Sequence, residues 1–313
     1  MENSKKLEQI IGEVNRVVIG KEEIVSKVLM AVLAGGHILV EDIPGVGKTT
    51  MALAFSRALS LDYNRLQFTP DVLPTDVVGF SLYNKSTGEF DYKPGVVMCN
   101  LFLADEINRT SSKTQSALLE TMEEGTATVD GVTRSVPKPF TVIATQNPIG
   151  SVGTHMLPES QLDRFMVKLS LGYPNIEDEI TVMKSRQGAN PIENVVSIAT
   201  AEDLLVMQKE CESVFISDKM YRYIAQLSDA TRTHPLIKLG ISPRGALALA
   251  AMSRARAYLG GRNYIIPDDV FHVFKDVCEH RIILGGKAKL NNATPSGLLE
   301  EILKNTEMPR LEA

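Results

Sequence analysis

Ile38-Leu39-Val40-Glu41-Asp42-Ile43-Pro44-Gly45-Val46-Gly47-Lys48-Thr49-Thr50 is the stretch on which the fold turns. It opens apolar and β-branched, breaks at Pro44 and Gly45, and ends in a lysine and two threonines. Met51 to Leu59 continues with helical spacing and no breaker, so the whole reads as strand, glycine loop, helix. A loop of this kind aims backbone N–H groups into one small volume and sets a helix N-terminus behind it. Both features favour a phosphate. Gly45 and Gly47 allow backbone angles and a close approach that a side chain would block. Lys48 can reach β- and γ-phosphates, and the Thr49 hydroxyl can hold Mg2+. Asp42 stands where the full phosphate-loop pattern has its first glycine. The competing reading is an ordinary glycine turn before a helix.

Outward from this stretch, composition sets the bounds. A length of 313 residues corresponds to about two domains. Hydrophobic residues at 44% and charged residues at 23% are ordinary for a soluble globular chain. The net charge of -5 argues against constitutive DNA binding and against attachment to an acidic membrane surface, while leaving room for a local basic patch. Cys99, Cys211 and Cys278 are odd in number, far apart and without metal spacing. Buried thiols in a reducing compartment are expected, which places the protein in the cytoplasm. The N-terminus leads into amphipathic sequence instead of a signal-peptide core, and no run of about eighteen apolar residues predicts a membrane span.

Helices are predicted over 5–17 and 22–34, on either side of a short apolar turn at Val17-Val18-Ile19-Gly20. Gln67 to Asp76 reads as strand, then proline-punctuated loop. Residues 77–98 hold few helix signals, with turns at Ser86-Thr87-Gly88 and Pro94-Gly95. Buried strands are predicted at 100–104 and 140–145, and a fourth at 166–171. A helix is predicted at 113–124, and Asp130-Gly131 marks a hairpin. Strands alternating with helices imply an α/β fold, a parallel sheet covered by helices. After Gly172-Tyr173-Pro174 only helices are predicted, beginning at Asn175, Thr200, Ser217, Ser242-Pro243, Pro267 and Pro295. The chain therefore divides into an α/β domain over 1–174 and an all-helical domain over 175–313.

Ligands of parallel α/β sheets sit outside the carboxyl ends of the strands. The strand at 100–104 delivers Asp105 and Glu106 to that edge. Beside a phosphate loop, Asp105 can hold Mg2+ and Glu106 can polarise an attacking water. The alternative is two acids capping the next helix, where they suit its dipole. The strand at 140–145 delivers Asn147, whose amide can bond a γ-phosphate or the lytic water. Its alternative is a turn-forming Asn before Pro148. The five histidines, His37, His155, His234, His272 and His280, show no metal spacing and read as structural or surface residues.

These residues in this order resemble the AAA+ ATPases, and among them the MoxR type, over nearly the whole chain. The resemblance rests on five segments: the phosphate loop Asp42 to Thr49, Gln67-Phe68-Thr69-Pro70-Asp71, Ala104-Asp105-Glu106-Ile107-Asn108-Arg109, Leu157 to Phe165, and Ser242-Pro243-Arg244. It implies that Pro44, Gly45, Val46, Gly47, Lys48, Thr49 and Thr50 form Walker A and that Asp105 and Glu106 form Walker B. Asn147 would be sensor 1, Arg244 sensor 2 and Arg164 the arginine finger. Val18, Ile19 and Gly20 would line adenine. Residues 77–98 would hold an insert in the second helix, and 126–137 the pre-sensor hairpin. Such families look like hexameric, ATP- and Mg2+-dependent ring ATPases with chaperone-like remodelling roles, often paired with von Willebrand A-domain proteins.

Arg164 also has a physical argument. It precedes the strand at 166–171, hence lies at the amino end of a parallel sheet whose nucleotide faces the carboxyl ends. Six residues of strand separate the two edges by ~20 Å, more than an arginine spans. If it touches a phosphate, the phosphate belongs to a neighbour; the alternative is a salt bridge with Asp163 or Glu159. Arg244 sits in the first turn of a helix, where a cation opposes the dipole and an anionic partner is expected, although a solvated arginine fits as well. Arg109 stays outside the candidate set. Two rival functions remain. One is a nucleic-acid motor, since minichromosome-maintenance helicases share the insert and the hairpin. Here that hairpin carries Asp130 and only Arg134 as a nearby cation, too few for phosphate contacts, so no stable nucleic acid is expected. The other is a slow ATP-gated switch or scaffold.

Overall fold

The structure, a computed structural model, describes residues 2–43, 45–147, 157–185 and 190–309. Pro44, Pro148 and His155 lie outside these residues. Two helices, α1 (Glu2–Asn15) and α2 (Glu22–Leu33), lead into β1 (Ile38–Glu41), and the glycine loop opens α3 (Lys48–Ala58). Next come β2 (Tyr63–Gln67), the short helix α4 (Pro74–Val78) and a hairpin of β3 (Gly79–Asn84) and β4 (Glu89–Pro94). β5 (Leu101–Asp105) passes through one 3-10 turn into α5 (Ser112–Glu124), followed by the hairpin of β6 (Thr126–Val129) and β7 (Val132–Ser135). β8 (Thr141–Gln146), α6 (Glu159–Leu162) and β9 (Val167–Leu169) complete the α/β part.

The main sheet runs β2-β5-β8-β1-β9, all parallel, with Ile38 of the internal β1 opposite Ile143 on one side and Val167 on the other. Successive side chains of a strand point to opposite faces. Ile38 and Val40 therefore join one buried cluster with Leu101, Leu103, Ile143 and Val167, while Leu39 joins a second with Phe102, Ala104, Val142 and Ala144. Both faces are apolar because helices cover both. The order of strands puts the ends of β1, β5 and β8 side by side on one edge of the sheet.

Past residue 175 the chain continues through α7 (Ile176–Ser185), α8 (Ala201–Glu212), α9 (Asp218–Thr233), α10 (Pro243–Leu259), α11 (Pro267–Cys278), α12 (Gly286–Leu290) and α13 (Pro295–Asn305). Apart from α12, which the sequence reading did not predict, their starts match the sequence signals. Asp178 N–H donates to the Asn175 side chain, Thr200 and Asp203 form a capping box, and Ser217 and Ser242 accept from the backbone of their first turns. The helical part also carries a two-stranded antiparallel ribbon, β10 (Ile237–Leu239) with β11 (Ile283–Leu284), which an all-helical expectation did not contain. Strands of two or three residues are too short to show a period. The core also crosses the expected boundary at residue 174. Leu7, Ile10 and Val14 of α1 and Val25, Val28 and Leu29 of α2 share one buried cluster with Leu204, Leu249 and Val270.

Candidate active site

The glycine loop holds the conformation its sequence demands. Gly45 and Gly47 have φ of 88° and 97°, in the region that L side chains avoid, and a Cβ at either would meet open space. Backbone geometry, not crowding, therefore requires glycine there. α3 starts at Lys48 with no acid in its first turn, so its N-terminus is free to face an anion. The Lys48 ammonium is buried and donates to the carbonyls of Asp42 at 2.8 Å and Ile43 at 3.3 Å. Burial pushes its pKa down, against the raising effect of Asp42, Asp105 and Glu106.

A cavity of about 340 Å3 lies in front of this loop, lined by Gly45, Gly47, Lys48, Thr49, Thr50, Arg65, Gln67, Asp105, Glu106 and Asn147. Three strands thus bring the glycine loop, the Asp105–Glu106 pair and Asn147 together. Asp105 Oδ1 accepts the Thr145 hydroxyl at 2.6 Å, and Oδ2 accepts Arg65 at 2.8 Å. Glu106 adopts the left-handed conformation with φ 57°, a strained choice for a residue with a side chain. Its Oε1 accepts the Asn147 amide at 3.0 Å, and its Oε2 accepts Arg109 at 2.8 Å and Gln67 at 3.4 Å. Burial raises the Glu106 pKa, but the bonds from Arg109, Asn147 and Gln67 outweigh it and hold the carboxyl below the usual range. Asn108, buried, fixes the Asn147 backbone, donating to its carbonyl at 3.3 Å and accepting its N–H at 3.4 Å.

Thr49 and Asp105 are hard oxygen donors on one cavity. Mg2+ takes one or two carboxylates and completes its shell with phosphates and water, so the donor set fits that ion. A second cavity of about 130 Å3 meets the first at Gly45, Gly47 and Thr50. Val17, Val18, Ile19, Val46, Pro174 and Val182 give it an apolar wall, of the kind that suits a base, with Lys21 also on its lining. Gly20 does not line it. Its φ is 69°, and a Cβ there would fall 1.9 Å from Asp178 Oδ2, so α7 packs directly on the turn.

Asp42 has a structural job that its sequence position did not disclose. Its buried carboxylate accepts from Ser170 Oγ at 3.0 Å, Leu171 N–H at 2.5 Å and Gly172 N–H at 3.1 Å. The phosphate loop is thereby tied to the chain that leaves β9 for the helical part.

Arg164 and Arg244 stand apart from these cavities. Arg164 pairs with Glu123 at 3.0 Å and donates to Leu119 O at 2.8 Å, and Arg244 pairs with the other oxygen of Glu123. Glu123 lies in the last turn of α5, ~16 Å along the helix from the start that comes after Glu106. Neither Asp163 nor Glu159 is the partner of Arg164, contrary to one expectation. Asp163 is taken by the Ser242 hydroxyl and by the buried Arg281, each at 2.8 Å. Arg244 is exposed to solvent and ion-paired at once. Its anionic partner is a carboxylate, and the Ser242–Asp163 bond fixes the two arginines side by side.

Arg65, Gln67 and Arg109 are the site residues that sequence reading missed. Arg109 was legible, because Glu106 lies three residues before it on one turn. Arg65 and Gln67 alternate along β2, and beginning that strand at Gln67 hid the period.

A family model described as ATPase family associated with various cellular activities (AAA) matches residues 37–167, and an AAA lid domain model matches 229–302. The chain is 46% identical over 303 residues to YeaC of Bacillus subtilis, covering 97% of this chain and 95% of that protein. It is 38% identical over 316 residues to the chaperone MoxR1 of Mycobacterium tuberculosis, covering 98% and 83%. Its fold matches the crystal structure of a Cytophaga hutchinsonii protein assigned as an ATPase, with a TM-score of 0.91 and 37% identity over 98% of this chain and 96% of that one. Likeness along the full length, with the loop and the acids of an NTPase on one sheet edge, makes this chain a member of the MoxR family of AAA ATPases.

Proposed function

We propose that the protein is a Mg2+-dependent ATP phosphohydrolase that works as a ring, a hexamer by family resemblance, and remodels, activates or assembles client proteins. The observation that supports this best is the convergence of Lys48, Thr49, Asp105, Glu106 and Asn147 on one cavity. Lys48 brings its charge to the β- and γ-phosphates beside the N-terminus of α3, and Val18 and Ile19 wall the base, with Gly20 as a neighbour. Thr49 and Asp105 are the residues that would hold Mg2+. When bound, that ion neutralises charge on the transferring phosphoryl group. Glu106, ionised at neutral pH, accepts a proton from the lytic water, and Asn147 holds its carboxylate in register. Arg164, on the far edge, completes the site of the next subunit, and Arg244 belongs to the same face.

The division at residue 174, a cytoplasmic location and a von Willebrand A-domain partner belong to this proposal. Its client surface is the pair of hairpins, where the tilted rings of Tyr83 and Phe90 lie 5.4 Å apart, both exposed, and Val132 is exposed at the tip. Arg134 lies over the Tyr92 ring at 3.9 Å, an arrangement that leaves the hairpin poorly suited to nucleic acid. Among the described residues no helix is long and apolar enough to cross a membrane.

Glu106→Gln tests the chemistry. The amide keeps the shape and loses the base, so ATP binding by calorimetry should stay while phosphate release falls on the order of 10²–10⁴-fold. Unchanged release would move the water-activating role to another residue.

A further inference from the structure

β2 delivers a cation to the acid that the phosphate cavity depends on. Arg65 and Gln67 flank Leu66, which packs toward the core, and both reach the cavity beside Lys48, Thr49 and Asp105. Both oxygens of Asp105 are engaged, one by the Arg65 guanidinium at 2.8 Å and one by the Thr145 hydroxyl at 2.6 Å. The two donors differ in how readily they give way. Thr145 is fully buried, and its oxygen also accepts the Glu106 N–H at 2.8 Å, so moving it disturbs the strained turn that carries Glu106. Arg65 is 43% exposed on a long stem. A dication beside the same carboxylate is repelled by the guanidinium and hardly affected by the neutral hydroxyl.

We propose that Arg65 competes with the divalent cation for Asp105. It keeps the carboxylate turned into the cavity, and a cation that takes Asp105 displaces it. The inference rests on reading this cavity as the ATP and Mg2+ site. Its consequence is that cation alone binds weakly. The negative charge of the triphosphate tips the contest, so nucleotide and cation load together.

Mn2+ serves as the probe, with free Mn2+ followed by electron paramagnetic resonance in the absence of nucleotide. Arg65→Ala should bind Mn2+ about three- to fivefold more tightly than the wild type, the range set by losing one exposed ion pair. Arg65→Lys, which keeps the charge without the planar fork, should fall between them. Adding Asp105→Asn to Arg65→Ala should remove the gain. Equal affinity in wild type and Arg65→Ala, weaker binding in Arg65→Ala, or a gain that survives Asp105→Asn each overturns the proposal. ATP titration with Mg2+ present is a separate check. If the wild type fails to bind ATP, or Lys48→Ala binds it equally well, the nucleotide reading falls, and the Mn2+ comparison still decides the role of Arg65.

Discussion

Two hydrogen bonds settle the charge on His37. Its Nδ1 accepts the Val142 N–H at 3.0 Å, and its Nε2 lies 2.9 Å from the Met122 carbonyl, to which it donates. An Nδ1 that accepts carries no proton, so the buried ring is neutral, and burial pushes its pKa down to about 4 against the raising effect of the Met122 bond. The unfolded chain has an ordinary histidine near 6.5. As pH falls through 6.5 the unfolded state gains a proton first, so stability is full above 6.5, declines toward about pH 4, and changes no further from this group below that. The whole step is about 3 kcal/mol. In urea titrations at pH 7 and pH 5, His37→Gln should be less stable than the wild type at pH 7 and lose less on acidification. His280, buried with its pKa also lowered, keeps part of the slope in that variant. Sequence reading classed both as structural or surface residues. Their partners are far along the chain, 105 residues away for the bond from Val142, and no local pattern discloses such a pair.

Among elements, those with a strong local period were legible and those without were not. The central strands are runs buried on both faces, and the helices of the C-terminal part announce themselves by Ser, Thr and Pro at their starts. β2 is an edge strand with Arg65 and Gln67 exposed, so it lacks the apolar run of its neighbours. β3 and β4 pair with each other outside the main sheet, and burial imposes little pattern on them. The extended stretch at 166–171 pairs only over Val167–Leu169, and beyond it Ser170, Leu171 and Gly172 are held by Asp42 instead of a neighbouring strand. Asp42→Ala should show how much that link matters. The buried Leu171 amide and the half-buried Gly172 amide lose a charged acceptor, at about 1–3 kcal/mol for a buried group left unsatisfied. A lowered melting temperature and weaker ATP binding by calorimetry are expected together. A melting temperature equal to that of the wild type would mean that water or a backbone carbonyl replaces the carboxylate.

For the whole molecule, the proposed ring would have to join two groups of residues that lie apart in one chain. Walker A, Walker B and Asn147 share a cavity, and Arg164 and Arg244 share Glu123 at the other end of α5. The first group was readable because each strand ends in its functional residues. The position of Arg164 was readable too, but its partner was not, because Glu123 is 41 positions away on another element. Arg164→Ala should bind ATP and hydrolyse it poorly, by up to ~10³–10⁵-fold if the finger acts fully. Lys48→Ala should fail to bind. Mixed, the two should recover activity wherever a sound cavity meets a sound finger. Mixed assemblies seen by native mass spectrometry with no recovery would confine Arg164 to its own subunit. The apolar cluster that α1 and α2 share with α8 and α10 bears on how such a subunit is made. A ribosome that has released residues 1–174 has finished every strand of the main sheet and α1 can already pack on α3, yet the sides of α1 and α2 that meet α8 and α10 still face water. Leu249 and Val270 are synthesised some hundred residues later, so the first helices to emerge are among the last to be fully covered.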